Sequence, residues 1–371
     1  MRFMGIGIKL FIAFIIGMVI GVMVMATILP AITPRPMASI LRGLFTIPAF
    51  KPPTDWDEIK RSVSSRMDID YGDGGLTFDV HWPVGTHAGE HPVILWIHGG
   101  GFVGGSKTDT DGYCMVLASH GYTVVNMDYG LAPRYHHPRQ VLDVDSVLCR
   151  LESLSSHDDK RVWPDAGNGL VIAGDSAGAH IAAEYCALRS NPSYRSELNV
   201  SLNAFSEIRG VVLLCGLYSL SSFTSGSWWR HPIRFMSKQI GWAITGHKSW
   251  HRSGQTERMD VVSHITNDYP PVFFSDGNWW TFDNQLDTMK QALDANGINH
   301  EVIRFPRGEN RRLAHEFQFD LRKPESIMVL DSMLSFIEGT IKGSNQDDDD
   351  AVVVSVDEYG AESRDGQELA S

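Results

Sequence analysis

The sequence predicts an α/β protein with a mostly parallel central sheet and helices on both of its faces. Near-continuous apolar runs recur along the body of the chain, and stretches with helical spacing separate them. Strands that are apolar on both faces belong to parallel sheets covered on both sides. A third observation is Gly174-Asp175-Ser176-Ala177-Gly178, a serine between glycines directly after one of those runs. A strand turning sharply into a helix there can hold the hydroxyl clear of the sheet, because glycine tolerates the cramped backbone. The same five-residue pattern also occurs at plain strand-to-helix junctions, so the weight of Ser176 rests on partners elsewhere.

Taken in order, the runs read as strands are 92–97, 122–127, 170–173, 211–214, 271–274 and 301–305, with helical patterns over 110–119, 140–152, 177–188 and 283–296. No internal repeat is present. The 371 residues are 20% charged and 43% hydrophobic, an ordinary globular balance. The net charge of −12 is concentrated at the carboxyl end, where nine acids after Gly343 face Arg364 alone. With no basic face in the composition, nucleic acid is not expected as a partner.

At the amino end, Leu10 to Leu29 carries no charge, follows Arg2 and Lys9, and is closed by Pro30. Twenty residues at about 1.5 Å each match a bilayer core of about 30 Å. The reading is an uncleaved single-pass signal anchor, with the catalytic body placed outside the cytoplasm on a slight charge asymmetry. Gly17 and Gly21 form a G-x-x-x-G step, a spacing also frequent in membrane helices without any pairing role. Cys114, Cys149, Cys186 and Cys215 are widely spaced in apolar contexts, which suits free thiols better than a disulfide frame. Their spacing holds no metal motif, so neither a metal nor a cofactor is assigned. Asn199-Val200-Ser201 is a formal glycosylation sequon.

His98-Gly99-Gly100-Gly101-Phe102 directly follows the first buried strand. A glycine run at a strand's end lets amide hydrogens point into a cleft, as stabilising an oxyanion requires. A phosphate-binding loop is the competing reading, but no lysine-serine/threonine pair follows at the proper offset. Together with Asp128-Tyr129-Gly130-Leu131-Ala132-Pro133 and the Ser176 pentapeptide, this stretch resembles the hormone-sensitive-lipase branch of the α/β-hydrolases, in the family's order and over roughly 76–338. The resemblance implies the α/β-hydrolase fold and a serine carboxylesterase in which Ser176 attacks the acyl carbon. It also implies that the amides of Gly100, Gly101 and Ala177 hold the oxyanion.

Such a serine needs a general base, and histidine is the side chain best poised near neutral pH. In this fold it belongs in a loop after the last strand, where Leu313-Ala314-His315-Glu316-Phe317 supplies His315. The acid departs from the family's pattern. Related sequences carry aspartate two residues after a Gly-Asn pair, whereas here Trp280 holds that place after Gly277-Asn278. Tryptophan is a donor only and cannot stabilise imidazolium. Asp283 is the preferred substitute, although a helix cap is its commoner role. Asp276, at the strand's end, is the alternative, against a plain Asx turn; a triad with no acid is the third option.

The expected organisation is an anchor over 1–30, a linker that could contribute to the cap over 31–75, and a hydrolase domain over 76–340. Within that domain a cap insertion spans about 219–267, and an acidic disordered tail follows over 341–371. The insertion carries Trp228, Trp229, Phe235, Met236 and Trp242, which suit either an apolar acyl chain or the cap's own packing. His136-His137 reads as a solvated loop rather than a metal pair. In the tail, 351–356 could add as a strand to a partner's edge. Three functions follow: a membrane-anchored esterase on a small-molecule or lipid ester, an impaired relative that binds an apolar ligand, and a membrane-tethered interaction protein.

Overall fold

The computed structural model describes residues 15–18, 23, 29–45, 50–72, 74–157, 161–225, 233–252, 254–282, 284–306, 312–343 and 353–355. Its strands are β1 (Val63–Asp70), β2 (Thr77–Pro83), β3 (Val93–Ile97), β4 (Thr123–Met127), β5 (Leu170–Asp175), β6 (Ile208–Leu214), β7 (Val272–Asp276), β8 (His300–Arg304) and β9 (Val353–Ser355). They form one sheet in the order β1-β2-β4-β3-β5-β6-β7-β8-β9. The β1–β2 and β2–β4 pairs are antiparallel, and all others are parallel. The longer helices are α1 (Arg35–Phe45), α2 (Lys107–Ser119), α3 (Arg139–His157), α4 (Ala177–Ser190), α5 (Ile233–Thr245), α6 (Gln285–Ala295) and α7 (Pro324–Lys342).

The six strands read from apolar runs are β3 to β8. Side chains alternate across a strand, so Val93, Leu95 and Ile97 join the core on one face of the sheet while Ile94 and Trp96 join the other. Both faces are therefore covered, which is why no polar alternation marks these strands. β1 and β2 escaped that pattern. β1 lies at the sheet edge with most of its residues half-buried or exposed, and β2 buries Asp79 and His81 beside Phe78 and Val80.

Strand order positions the site. β4 lies on one side of β3 and β5 on the other, with Ile97 in register with Gly174. The loops leaving the carboxyl ends of β3 and β5 thus emerge side by side at the point where strand order reverses, the usual ligand position in such sheets. Helix α4 starts there and is buried at every residue from Ala177 to Leu188, held between the sheet and the segments above it.

The expected single-pass anchor and extracytoplasmic placement are corrected. Among the described residues no helix is long and apolar enough to cross a membrane, and only 15–18, 23 and 29 of the 10–29 stretch are described. The next helices are Leu29–Ile32 and the 11-residue α1, and a helix of that longer length spans only about 17 Å. Ala38 and Leu41 of α1 are buried, and Gln239 of α5 donates to the Pro30 carbonyl at 3.1 Å. In the 341–371 region, Val353–Ser355 pairs in parallel with this chain's own β8. All four cysteines are free. Of the histidine pair, His136 is exposed as expected, with Nδ1 2.8 Å from the Ala243 carbonyl, whereas the His137 side chain is covered and its Nε2 lies 2.6 Å from Glu184 Oε1.

Candidate active site

Ser176 sits at the end of β5 with φ 50° and ψ −113°, a conformation a non-glycine residue adopts only when its surroundings hold it there. They do so through the Ser176 amide, which donates to the Leu214 carbonyl at 2.8 Å. The flanking glycines have a steric reason: a Cβ on Gly178 would overlap the Ile97 carbonyl oxygen, and one on Gly174 would lie 2.6 Å from Gly178 backbone. The turn thus brings α4 against the end of β3, and only glycine fits at the crossing.

Nε2 of His315 lies 2.9 Å from Ser176 Oγ. The histidine loop is fastened to the loop after β7. Leu313 donates to Asn278 Oδ1 at 2.9 Å, while Asn278 and Trp279 donate to the Leu313 carbonyl at 2.9 and 3.0 Å. A Cβ on Gly277 would overlap that same carbonyl, so the Gly-Asn pair joins the two loops. Phe282 packs edge-on to the His315 ring, with centroids 5.0 Å apart.

Of the two candidate acids, Asp276 lies beside His315. Its carboxylate, Cys215 Sγ and a ring nitrogen of His315 lie within 4.8 Å of one another. Asp276 is 2% exposed and accepts from the Gly277 amide at 2.7 Å. Burial raises its pKa, a shift opposed by the charge of His315, by Cys215, and by the amides of Gly277 and Phe282. Asp283, the preferred candidate, lies outside the described residues. Trp280 is 64% exposed and has φ 54°. Within the Cys215–Asp276–His315 trio, Cys215 Sγ donates to Gln318 Oε1 at 3.1 Å and accepts from the Glu316 amide at 3.2 Å, and burial keeps the thiol protonated.

Gly100, Gly101 and Ala177 border the same cavity as Ser176 and His315. Gly100 has φ 112° and Gly101 φ 58°, and a Cβ on Gly100 would overlap the Gly104 carbonyl. Among the described residues, none of these three amides donates to a protein acceptor. The loop is braced from behind. His98 is buried and held neutral by desolvation, and its ring stacks on Tyr129 with centroids 4.4 Å apart. Tyr129 in turn donates to the Gly99 carbonyl at 3.3 Å, and the Ala132 amide to the Phe102 carbonyl at 2.9 Å. The Asp128–Pro133 stretch therefore serves the glycine loop.

Above Ser176 is a cavity of about 460 Å³, lined mainly by apolar side chains including Leu44, Phe45, Met236, Ile240, Ile244 and Trp280. The sequence reading allowed 31–75 to contribute to the cap but did not single out α1 within it. Arg42 Nε donates to the Val103 carbonyl at 2.8 Å and Nη2 to the Ala132 carbonyl at 3.3 Å, which ties α1 to the glycine loop. Nothing local in the sequence marks its partner.

A sequence profile of the alpha/beta hydrolase fold matches residues 94–311, more than half of the chain, and the chain belongs to this family. Esterase LipI of Mycobacterium tuberculosis is 36% identical over 117 residues, 31% of this chain and 35% of that protein. Esterase LipC of the same organism is 32% identical over 109 residues, 29% of this chain and 26% of that one. The chain thus spans about a quarter to a third of the length of these relatives. Among solved structures, an inhibited esterase B from Lactobacillus rhamnosis has a TM-score of 0.66 at 22% identity, covering 84% of this chain and 97% of that one. A bacterial heroin esterase has a TM-score of 0.59 at 22% identity, covering 84% and 93%. Identity this low establishes a shared fold.

Proposed function

We propose that the protein is a serine carboxylic-ester hydrolase acting on esters with an apolar acyl group. The observation that carries this reading is the 2.9 Å contact between Ser176 Oγ and His315 Nε2, made on the floor of an apolar cavity. Ser176 Oγ attacks the acyl carbon while His315 Nε2 takes its proton. The oxyanion is held by the amides of Gly100, Gly101 and Ala177, whose hydrogen bonds cost no rearrangement during the reaction. His315 then gives the proton to the departing alcohol, and the acyl group stays on Ser176. A water molecule, deprotonated by His315, attacks that ester and releases the carboxylic acid and the free serine.

Asp276 supports the imidazolium in this scheme, in place of an acid at the Trp280 position. Its burial suits the role, since a carboxylate acts more strongly in a low-dielectric surrounding. The apolar lining supports the choice of acyl group, because burying apolar surface stabilises by about 25 cal/mol per Å². The esterase names of the mycobacterial relatives favour the same reaction. The test compares the full chain with its Ser176→Ala variant on a short aryl ester. Hydrolysis that disappears in the variant supports the reading, and equal rates refute it.

A further inference from the structure

The nucleophile and the base each stand next to a carboxyl group. Asp175 precedes Ser176 and is 3% exposed, and Glu316 follows His315. The two side chains converge beneath Gly99, where a Cβ would overlap Asp175 Oδ2 and lie 2.9 Å from Glu316 Oε1. Asp175 also accepts from Trp96 Nε1 at 3.1 Å and from the Gly99 amide. Glu316 Oε1 is 3.8 Å from His315 Nε2, the nitrogen that faces Ser176. Glu316 has φ 61°, a costly backbone for a long side chain, and its amide is held by Cys215 Sγ.

We propose that Asp175 and Glu316 share a single proton, and that this hydrogen-bonded carboxyl pair pins the base loop to the nucleophile turn, making Glu316 a positioning residue for His315. The pairing deepens the ester-hydrolase reading and rests on it for its catalytic meaning. Two carboxylates that converge on one site repel each other when both are ionised, and a shared proton removes that repulsion. Among the described residues, the titratable groups facing the pair are Tyr113, Cys114, Tyr129, Cys215 and His315, with Asp128 beyond Tyr129 and Asp276 beyond Cys215. Burial keeps the first four neutral. Asp175 is accordingly held well above the ordinary carboxyl range, first by burial and then by the charge of Glu316.

The pH consequence follows from the proton count. The folded protein binds one proton more than the unfolded chain between the ordinary and the raised value of Asp175. The pair's contribution to stability is therefore full below the ordinary carboxyl range and declines as pH rises through that window. Above it, the proton leaves to solvent, two carboxylates face each other, and His315 is pushed from Ser176.

The experiment uses the full chain as wild type, Glu316→Gln, Glu316→Ala and Asp175→Asn, with two readouts. In infrared difference spectra at pH 8, wild type shows a protonated-carboxyl stretch missing from Glu316→Gln and Asp175→Asn. In ester hydrolysis, Glu316→Ala lowers kcat by about 10- to 100-fold with little change in KM, the scale expected of a misplaced catalytic group. Glu316→Gln, whose amide donates to Asp175, restores most of kcat but loses the alkaline decline of the wild type. Wild type without the infrared difference, or both Glu316 variants with the wild-type pH profile, overturns the pair. A wild type that gives the infrared difference but hydrolyses no ester refutes the hydrolase reading and leaves the pair standing.

Discussion

The carboxylate of Asp276 and a ring nitrogen of His315 lie within 4.8 Å of each other, across a loop whose Trp280 is 64% exposed. Asp276→Asn is therefore expected to lower kcat by about 10²- to 10⁴-fold, as loss of the acid does in other serine triads. Asp283→Asn is expected to lower it far less. Steady-state kinetics on one aryl ester, run on both variants, checks this; the reverse ranking would assign the acid to Asp283.

Gly178 lies where α4 crosses the end of β3, and a Cβ there would overlap the Ile97 carbonyl oxygen. Backbone on both sides leaves no flexible partner to yield. Gly178→Ala is expected to destabilise the fold by about 1–3 kcal/mol, the usual range for overpacking, seen as a lower urea midpoint with an unchanged slope.

Glu184 on α4 is 1% exposed and lies between His137 Nε2 at 2.6 Å and His180 Nε2 at 3.5 Å, with the Tyr194 hydroxyl donating at 2.7 Å. Burial would raise its pKa, but the two histidines outweigh it and hold the carboxyl well below the usual range. Its stabilising contribution is thus full above the ordinary glutamate value of about 4.3 and is lost as pH falls toward the depressed value. Glu184→Ala is expected to cost roughly 3–5 kcal/mol at neutral pH. Urea melts at several acidic pH values should show a smaller acid-induced loss in the variant than in wild type.

Arg42 carries the link between α1 and the glycine loop through the Val103 and Ala132 carbonyls. Arg42→Ala is expected to free α1, speeding its proteolytic cleavage while lowering kcat/KM by up to about tenfold, or about 1.4 kcal/mol, the scale of its two hydrogen bonds. An α1 that resists protease as in wild type would show that its docking does not depend on this side chain.

What the sequence made legible were features whose cause is local. The two-faced apolar strands β3 to β8 announce a covered parallel sheet, and the glycines around Ser176, with Gly100 and Gly105, answer to overlaps within a few residues or at one strand end. His315 was singled out by its place after the last core strand, and its Nε2 lies 2.9 Å from Ser176 Oγ. Features fixed by distant partners were not. β1 and β2 carry polar residues that only their pairing explains, and α1 looks like any amphipathic helix until Arg42 is seen on the Val103 carbonyl. His137 read as solvated because Glu184 lies 47 positions away. The acid was left open between Asp283 and Asp276 because the sequence does not show that the fold brings the end of β7, and Asp276 with it, against the histidine loop.

The most direct measurement is mass spectrometry of the full chain quenched in acid during turnover of a short aryl ester. The account predicts an acyl adduct on the peptide that carries Ser176, absent from Ser176→Ala. Turnover with no adduct on that peptide, or the same adduct and rate in Ser176→Ala, would contradict it.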